Sequence, residues 1–96
     1  MKKGIWNKMY SLKVRKNLDK KLKKLKKKDR NKLEKINNKV KEILKNPHRF
    51  KNLRKPLQEW KRIQIGSYVL CFSVDNNSGI VTLEDYDHHD DIYKAS

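Results

Sequence analysis

Residues 59–74, Glu-Trp-Lys-Arg-Ile-Gln-Ile-Gly-Ser-Tyr-Val-Leu-Cys-Phe-Ser-Val, decide the fold of this 96-residue chain. In residues 59–65 apolar and polar side chains alternate, which is typical of a strand with one buried face. Gly66 and Ser67 form the kind of two-residue turn that closes a β-hairpin. Residues 68–74 are a nearly continuous apolar run, which predicts a central strand covered on at least one face. The stretch therefore predicts an antiparallel hairpin.

The sheet is predicted to continue after this hairpin. Residues 75–79, Asp-Asn-Asn-Ser-Gly, are dense in side chains that favour turns. Residues 80–86, Ile-Val-Thr-Leu-Glu-Asp-Tyr, again fit a strand. Residues 87–96 are polar, and we expect Ile92 and Tyr93 to anchor them.

Two helices are predicted before the hairpin, because each of two segments carries one apolar stripe at helical spacing. The first stripe consists of Val14, Leu18, Leu22 and Leu25. The second stripe consists of Leu33, Ile36, Val40, Ile43 and Leu44. Asp29 is a plausible N-cap of the second helix, and Asn46-Pro47 should end it, since proline disfavours helical geometry in the residue before it.

Neither helix can be stable by itself, because a narrow stripe needs a sheet to pack on. A short first strand is expected at about residues 8–13, ahead of the helices. The predicted architecture is therefore an α+β domain of order β-α-α-β-β-β, with a helical hairpin packed on an antiparallel sheet. Residues 1–96 form one domain, since the sequence contains no repeat and no linker.

Charge is distributed unevenly along the chain, whose formal net charge is +15. Residues 1–45 contain 19 Lys or Arg against 4 acidic residues, and residues 46–64 contain 6 against 1. Residues 65–96 reverse this balance, with 1 cation against 6 acidic residues. Such a surface favours negatively charged partners, namely nucleic acid, an anionic membrane or an acidic protein.

The cellular compartment is indicated by absences in the sequence. Cys71 is the single cysteine, so no intramolecular disulfide is possible. No apolar run approaches the length of a membrane span, and the basic N-terminus is not followed by the apolar region of a signal peptide. We therefore expect a cytoplasmic protein that has no membrane partner.

Three motifs in the second half of the chain carry a family resemblance. They are residues 47–53, Pro-His-Arg-Phe-Lys-Asn-Leu; residues 60–68, Trp-Lys-Arg-Ile-Gln-Ile-Gly-Ser-Tyr; and residues 88–93, His-His-Asp-Asp-Ile-Tyr. Together with the β-α-α-β-β-β order, they resemble the RelE/ParE toxin superfamily. The resemblance implies a toxin that is encoded beside an antitoxin that wraps it. RelE-like members cut messenger RNA in the ribosomal A site, whereas ParE-like members poison DNA gyrase.

The chain departs from the pattern of this superfamily at several positions. Val69 and Gln64 stand where many members carry a basic residue, and His88-His89 replaces a His-Arg pair. Asp85 and Asp87 lie near a position where some RNA-cutting members place arginine. Arg62 and Tyr93 are retained at matching positions.

RNA cleavage by the 2′-hydroxyl needs a base, a cation at the phosphate and an acid, and it needs no metal or other cofactor. The candidate catalytic residues are Arg62, His88, His89 and Tyr93. Arg62 would stabilise the phosphate with its guanidinium group. Either histidine would transfer a proton, because histidine titrates near neutral pH. Tyr93 would stack on a base or aid proton transfer.

Each candidate also has a purely structural interpretation. Arg62 could pair with Glu84 across the sheet, His88 could stabilise the tail, and Tyr93 could pack on the sheet. The cluster of Asp87, His88, His89, Asp90 and Asp91 offers metal ligands, but its spacing matches no diagnostic metal site. The remaining special side chains are expected in or beside the core; they are Trp60, Tyr68, Phe72 and Cys71.

The lysine-rich segments are predicted to contact RNA phosphates. The candidate RNA-binding residues are Lys23, Lys24, Lys27, Lys28, Lys51, Arg54, Lys55 and Lys61. For any single lysine of the helices, a solvated surface position is the simpler interpretation. Their number nevertheless makes non-specific phosphate binding hard to avoid at low salt. No base-reading pattern is visible, so these contacts would position RNA rather than read its sequence.

Three functions fit the sequence. The first is a ribosome-dependent endoribonuclease toxin that contacts ribosomal RNA and messenger RNA in the A site. The second is a gyrase-poisoning toxin on the same fold, and the third is a basic RNA-binding module that no longer cuts. The cationic helices favour the first, whereas Val69 favours the others. In each toxin hypothesis we expect a cognate acidic antitoxin as partner.

Overall fold

The computed structural model describes residues 10–52 and 60–94. In chain order the elements are β1 (Ser11–Val14), α1 (Lys16–Lys28), α2 (Arg30–Lys45), a 3₁₀ turn (Pro47–Arg49), β2 (Lys61–Ile65), β3 (Tyr68–Asp75), β4 (Ile80–His88) and α3 (His89–Lys94). The predicted order β-α-α-β-β-β is confirmed, and one short helix, α3, is added at its end.

The four strands form one sheet in the order β1-β4-β3-β2. β2, β3 and β4 make the antiparallel meander that the turn residues predict. β1 pairs with β4 in parallel, with Ser11 opposite Ile80 and Val14 opposite Leu83, so the sheet is mixed rather than wholly antiparallel. The direction of β1 is not set by a tight turn, because the helical hairpin and the meander separate it from β4.

The two helices meet at a single residue, Asp29. Its backbone N–H donates to Leu25 O and ends α1, while its carboxylate accepts a hydrogen bond of 3.2 Å from the backbone N–H of Lys32. The predicted N-cap is therefore confirmed, and the connection is shorter than the basic turn that lysines 26–28 suggest. α2 ends at Lys45, just before Pro47, as predicted.

The helices cover one face of the sheet and form the main core with it. The buried members of this core are Leu18, Ile36, Val40, Ile43, Leu70, Phe72, Val81, Leu83 and Tyr86. Leu22, Leu25 and Leu44 of the predicted helical stripes are partly buried against the same cluster, whereas Val14, the first position of the first stripe, belongs to β1 and not to a helix. Phe72 is fully buried, and the ring of Phe50 meets it edge-on at 5.7 Å between centroids.

A β-bulge in β4 sets which side chains reach this core. Cys71 lies opposite Asp85, whereas the next residue of β3, Phe72, lies opposite Leu83. Glu84 is therefore an extra residue in β4. Because of this insertion, Leu83 and Tyr86 both face the helices although they are three residues apart.

The opposite face of the sheet carries a smaller apolar cluster. Val69, Cys71 and Ile92 are buried together there, and Trp60 packs against them. Ile92 belongs to α3, so the predicted anchoring of the tail by Ile92 is confirmed, whereas the side chain of Tyr93 lies outside the described part of the structure. A six-residue helix is stabilised mainly by tertiary burial, which explains why periodicity did not predict α3.

Replacement of Phe72 by alanine should destabilise the fold strongly. The substitution removes a fully buried ring and leaves a cavity, so the free energy of unfolding should fall by about 3–5 kcal/mol. Urea denaturation followed by circular dichroism measures this change. Leu12→Ala is the matched control, because Leu12 is 44% exposed on β1 and its truncation should cost less than about 1 kcal/mol. Equal losses for the two variants would contradict the assignment of the core.

Cys71 should be inert toward alkylation in the folded protein. Burial, with a smaller contribution from the negative charge of Asp85, raises the pKa of the Cys71 thiol from 9.0 to about 12. The thiolate is the reactive species, so little of it exists in the folded state until the pH approaches that value. Iodoacetamide labelling at mildly alkaline pH, read by mass spectrometry, should modify the urea-unfolded chain and leave the native chain unmodified. Equal labelling rates in the two states would refute the burial of this thiol.

Candidate functional site

Arg62 projects from the face of the sheet that α1 and α2 do not cover. Arg62 lies opposite Cys71, and Cys71 lies opposite Asp85, so these three side chains share one face of the sheet. Gln64, Val69 and Asp87 form the next row on the same face. Within these two rows, Arg62 is the single cation. The two aspartates, Asp85 and Asp87, lie on β4, two strands away from it.

His88 is not brought together with Arg62. It lies opposite Tyr68, and its ring meets the Tyr68 ring edge-on at 5.6 Å on the face that the helices cover. Arg62 projects from the other face, so the structure does not bring these two candidates together. The reason is the alternation of side chains along β3, which places Tyr68 and Cys71 on opposite faces.

The other two candidates belong to α3. His89 begins this helix, its backbone N–H donates to Ser67 O at 2.9 Å, and its ring Nδ1 lies 3.6 Å from Asp90 Oδ1. Tyr93 lies in the last turn of α3, and its side chain is outside the described part. α3 packs on the same face as Arg62 through Ile92.

Lys21 of α1 reaches the two aspartates of this face. Its ammonium nitrogen lies 3.3 Å from Asp85 Oδ1 and 3.5 Å from Asp87 Oδ2, and it donates to Tyr86 O at 3.2 Å. Although burial acts against its charge, these two carboxylates raise the pKa of Lys21 above its ordinary value. Lys21 thus offsets part of the negative charge near Arg62. No sequence signal pointed to this residue, since it lies 64 residues from Asp85.

Glu84, the extra residue of the bulge, has one partner on β3 and one at the start of α1. Its carboxylate accepts a hydrogen bond of 2.6 Å from Arg15 Nε and one of 2.5 Å from Ser73 Oγ. Its side chain is only 5% exposed, so both hydrogen bonds help to compensate a buried charge. These bonds tie the connection between β1 and α1 to β3 and β4.

Among the described side chains at the end of β4, the aspartates and histidines do not assemble into a metal site. Within residues 10–52 and 60–94, no three side chains of His, Cys, Asp or Glu are arranged to hold a metal ion. His88 Nδ1 instead accepts a hydrogen bond of 3.3 Å from the backbone N–H of Asp90. This hydrogen bond matches the structural interpretation in which His88 stabilises the start of the tail.

A basic groove lies at the tip of the helical hairpin. It has a volume of about 560 Å³ and is lined by Lys23, Lys26, Lys27 and Arg30. In the described ranges, Lys23 alone of these four forms an ion pair, with Asp19 at 3.1 Å. Lys23 and Lys27 are among the RNA-binding residues predicted from the sequence. Lys26 and Arg30 are not, because it is the turn at Asp29 that brings the two helices together and so places these residues in one groove.

The remaining RNA-binding candidates are dispersed. Lys24 and Lys28 are exposed on α1 but do not line the basic groove, and Lys51 is exposed after the 3₁₀ turn. Lys61 has a structural role, because its ammonium group donates to Phe50 O at 3.2 Å and to Asn52 Oδ1 at 3.0 Å. Arg54 and Lys55 lie outside the described residues.

The helices of the described ranges are short and rich in charged residues. None of the helices there combines the length and the apolar composition that crossing a bilayer would require. The charged faces of α1 and α2 are exposed instead.

Comparison with known sequences identifies relatives along nearly the whole chain. The family described as ParE toxin of type II toxin-antitoxin system, parDE, matches residues 10–93. An uncharacterized protein of Methanosarcina mazei is 56% identical over 86 residues, which cover 88% of this chain and all of that protein. A Methanocaldococcus jannaschii protein provisionally named toxin RelE4 is 51% identical over 87 residues, covering 90% of this chain and 93% of that protein.

Solved structures share the fold. The Mycobacterium tuberculosis RelBE2 toxin–antitoxin complex contains a chain with a TM-score of 0.72 and 22% identity, covering 84% of this chain and 92% of that one. The isolated Escherichia coli RelE toxin has a TM-score of 0.69 and 20% identity, with 90% and 93% covered. Two helices on a four-stranded mixed sheet are thus common to all three. The chain therefore belongs to the ParE toxin family of type II toxin–antitoxin systems, within the RelE/ParE superfamily.

Proposed function

We propose that this toxin binds ribosomal RNA through its helical hairpin and cuts messenger RNA in the ribosomal A site. The observation that carries the proposal is the basic groove at the hairpin tip, where Lys26, Lys27 and Arg30 have no ion-pair partner among the described residues. Such cations bind polyanions by releasing counterions from the phosphate backbone. Ribosomal RNA is the largest phosphate surface available to a protein that acts on translation.

Arg62 is proposed as the residue that stabilises the scissile phosphate. Its guanidinium group would donate to the phosphate oxygens that gain charge as the 2′-oxygen attacks. Lys21 is the second cation near this face, and it is held there by Asp85 and Asp87. The basic groove would position the toxin, and Arg62 would act on the phosphate that is presented to it.

Proton transfer is assigned to α3 in this proposal. With His88 on the helix-covered face, His89 and Tyr93 remain as the candidates for the base and the acid. His89 is suited to this role, because an imidazole ring can both accept and donate a proton. No metal or other cofactor enters the reaction.

One observation favours the alternative of a gyrase-poisoning toxin. Asp85 and Asp87 share the face of Arg62, and Lys21 offsets only one of their two charges. A face with this balance repels a phosphate backbone more than a fully basic face would. Binding to a protein target would require no nuclease chemistry on this face.

An acidic antitoxin is the expected partner under either toxin function. The surplus of cations in residues 1–45 gives the helical hairpin a strongly positive field, which would steer a negatively charged chain onto it. Antitoxin and RNA would then compete for α1 and α2. Such competition would let the antitoxin silence the toxin without contacting Arg62.

Arg62→Ala should abolish cleavage of messenger RNA on the ribosome. Toeprinting of a translated message with purified ribosomes should show wild-type cuts confined to A-site codons. Loss of the guanidinium group should lower the cleavage rate by a factor on the order of 100–1,000, as for other groups that stabilise a developing anion. Tyr93→Ala should also reduce the rate.

His88→Ala is the matched control for Arg62→Ala, since His88 projects from the other face of the sheet. It should cut at A-site codons at close to the wild-type rate. A bound ribosome without any cuts by the wild-type protein would support a non-cleaving RNA-binding module. Absence of both cuts and ribosome binding would instead favour the gyrase alternative.

Replacing Lys26 and Lys27 together by glutamine should weaken ribosome binding and reduce its salt dependence. For each phosphate that the variant no longer neutralises, the slope of log affinity against log salt should become shallower by about 0.7–0.9. Co-sedimentation with ribosomes at several salt concentrations measures both effects. Lys41→Gln with Lys45→Gln removes the same charge from exposed positions outside the basic groove. If this control were equally impaired, the groove would have no special role.

A further inference from the structure

A second, smaller pocket lies between α2 and the β2–β3 hairpin. Its volume is about 160 Å³. The lining residues are Lys32, Lys35, Ile65, Gly66, Ser67, Tyr68 and Tyr86. It is on the helix-covered side of the sheet, so it is distinct from the Arg62 face, and none of its residues lines the basic groove. We call it the tyrosine pocket.

Two stacked aromatic rings form part of its wall. The rings of Tyr68 and Tyr86 lie 4.9 Å apart between centroids and are nearly parallel, at 13°. Tyr86 is only 6% exposed, yet its hydroxyl has no hydrogen-bonding partner among the described residues. A buried tyrosine hydroxyl normally has such a partner, so within residues 10–52 and 60–94 nothing competes with a ligand of the pocket for this hydroxyl.

Two lysines of α2 stand at the same pocket. Lys32 and Lys35 are three residues apart and therefore share one face of the helix. The Lys32 ammonium nitrogen lies 4.3 Å from the centroid of the Tyr68 ring, which fixes its position over the pocket wall. Among residues 10–52 and 60–94, neither lysine pairs with a carboxylate. Their charge is thus available to an anion.

The size of the tyrosine pocket limits the ligand. A cavity of about 150 Å³ accommodates a group the size of a benzene ring, whereas pockets for whole drug-sized molecules measure about 300–1,000 Å³. The ligand is therefore a single small group. Because Lys32, Lys35 and Tyr86 present hydrogen-bond donors, this group should carry several hydrogen-bond acceptors. A phosphate group meets this description, and lysine binds phosphate well as a point charge.

The neighbourhood of the pocket favours a phosphate that belongs to RNA. Arg30 of the basic groove and Lys32 and Lys35 of the tyrosine pocket follow each other on α2. At a rise of about 1.5 Å per residue, Arg30 and Lys35 are separated by roughly 7.5 Å along the helix axis. A strand with repeated phosphates can contact both sites in succession, whereas a single acidic side chain cannot.

We propose that the tyrosine pocket binds one phosphate group of an RNA strand that also crosses the basic groove. The ammonium groups of Lys32 and Lys35 contact the phosphate oxygens, and the Tyr86 hydroxyl donates a hydrogen bond to one of them. This proposal rests on the proposed RNA-binding function and adds a defined second contact to it. It requires no cleavage and no participation of Arg62.

The test is fluorescence anisotropy of a short fluorescein-labelled oligouridine with the purified full-length chain. Tyr86→Phe keeps the ring in the core and removes only the hydroxyl. It should weaken binding by about tenfold, as expected for a hydrogen bond to a charged group, without changing the slope of log affinity against log salt. Lys32→Gln with Lys35→Gln should weaken binding by more than tenfold and should make that slope shallower.

The control is again Lys41→Gln with Lys45→Gln, which removes the same charge from α2 outside the tyrosine pocket. An equal decrease in affinity for the two double variants, or an unchanged affinity for Tyr86→Phe, would overturn the proposal. Poly-glutamate serves as a second probe. If the pocket variants bound poly-glutamate more weakly but oligouridine as tightly as the wild type, the pocket would bind a protein carboxylate and the proposal would be wrong.

This assay separates the two proposals. Oligouridine binding is measured without ribosomes, so a toxin that fails to cut in the toeprint can still show the expected decrease in affinity for the pocket variants. Conversely, a toxin that cuts normally with Tyr86→Phe and binds oligouridine with unchanged affinity would retain its proposed function, and the tyrosine pocket would be refuted as an RNA-binding site.

Discussion

The structure depends on the burial of β3 on both of its faces. Leu70 and Phe72 pack under α1 and α2, while Val69 and Cys71 pack under α3 on the other side. A strand of this kind must be apolar at nearly every position, and four consecutive residues of β3 are buried. Once β3 is fixed, its neighbours β2 and β4 are aligned by short turns, and the helices have a surface to cover.

The charged surface follows from this arrangement rather than from the core. The helices are attached to the sheet by narrow apolar stripes, which leaves most of their circumference to lysine and arginine. Two acidic residues of the last third, Asp85 and Asp87, lie on the sheet face that the helices do not cover, and Lys21 of α1 reaches both of them. Attraction between the two oppositely charged parts of the chain thus occurs within the molecule, and the hairpin tip keeps its excess of positive charge for a partner.

The bulge at Glu84 decides which chemistry each sheet face carries. Without the bulge, β4 would alternate strictly. With Val81 and Leu83 toward the helices, Asp85 would then also face the helices, and His88 would lie on the face of Arg62. The extra residue reverses this assignment, so the aspartates lie beside Arg62 and His88 lies beside Tyr68. The same reversal places Tyr86 in the core, where it lines the tyrosine pocket. One inserted residue therefore separates two of the three surfaces that we propose to contact RNA, the Arg62 face and the tyrosine pocket.

The order of elements, the helical stripes, the cap at Asp29 and the end of α2 before Pro47 could all be predicted from the sequence, because each depends on residues a few positions apart. The family could be predicted as well, since its motifs are local. Only the tertiary structure decided four other features. They are the parallel pairing of β1, the helix α3, the contact of Lys21 with the aspartates and the separation of Arg62 from His88. These features depend on register and contact between segments that are distant along the chain. The hydrophobic periodicity of a strand or a helix carries no information about that register, which a single bulge can shift.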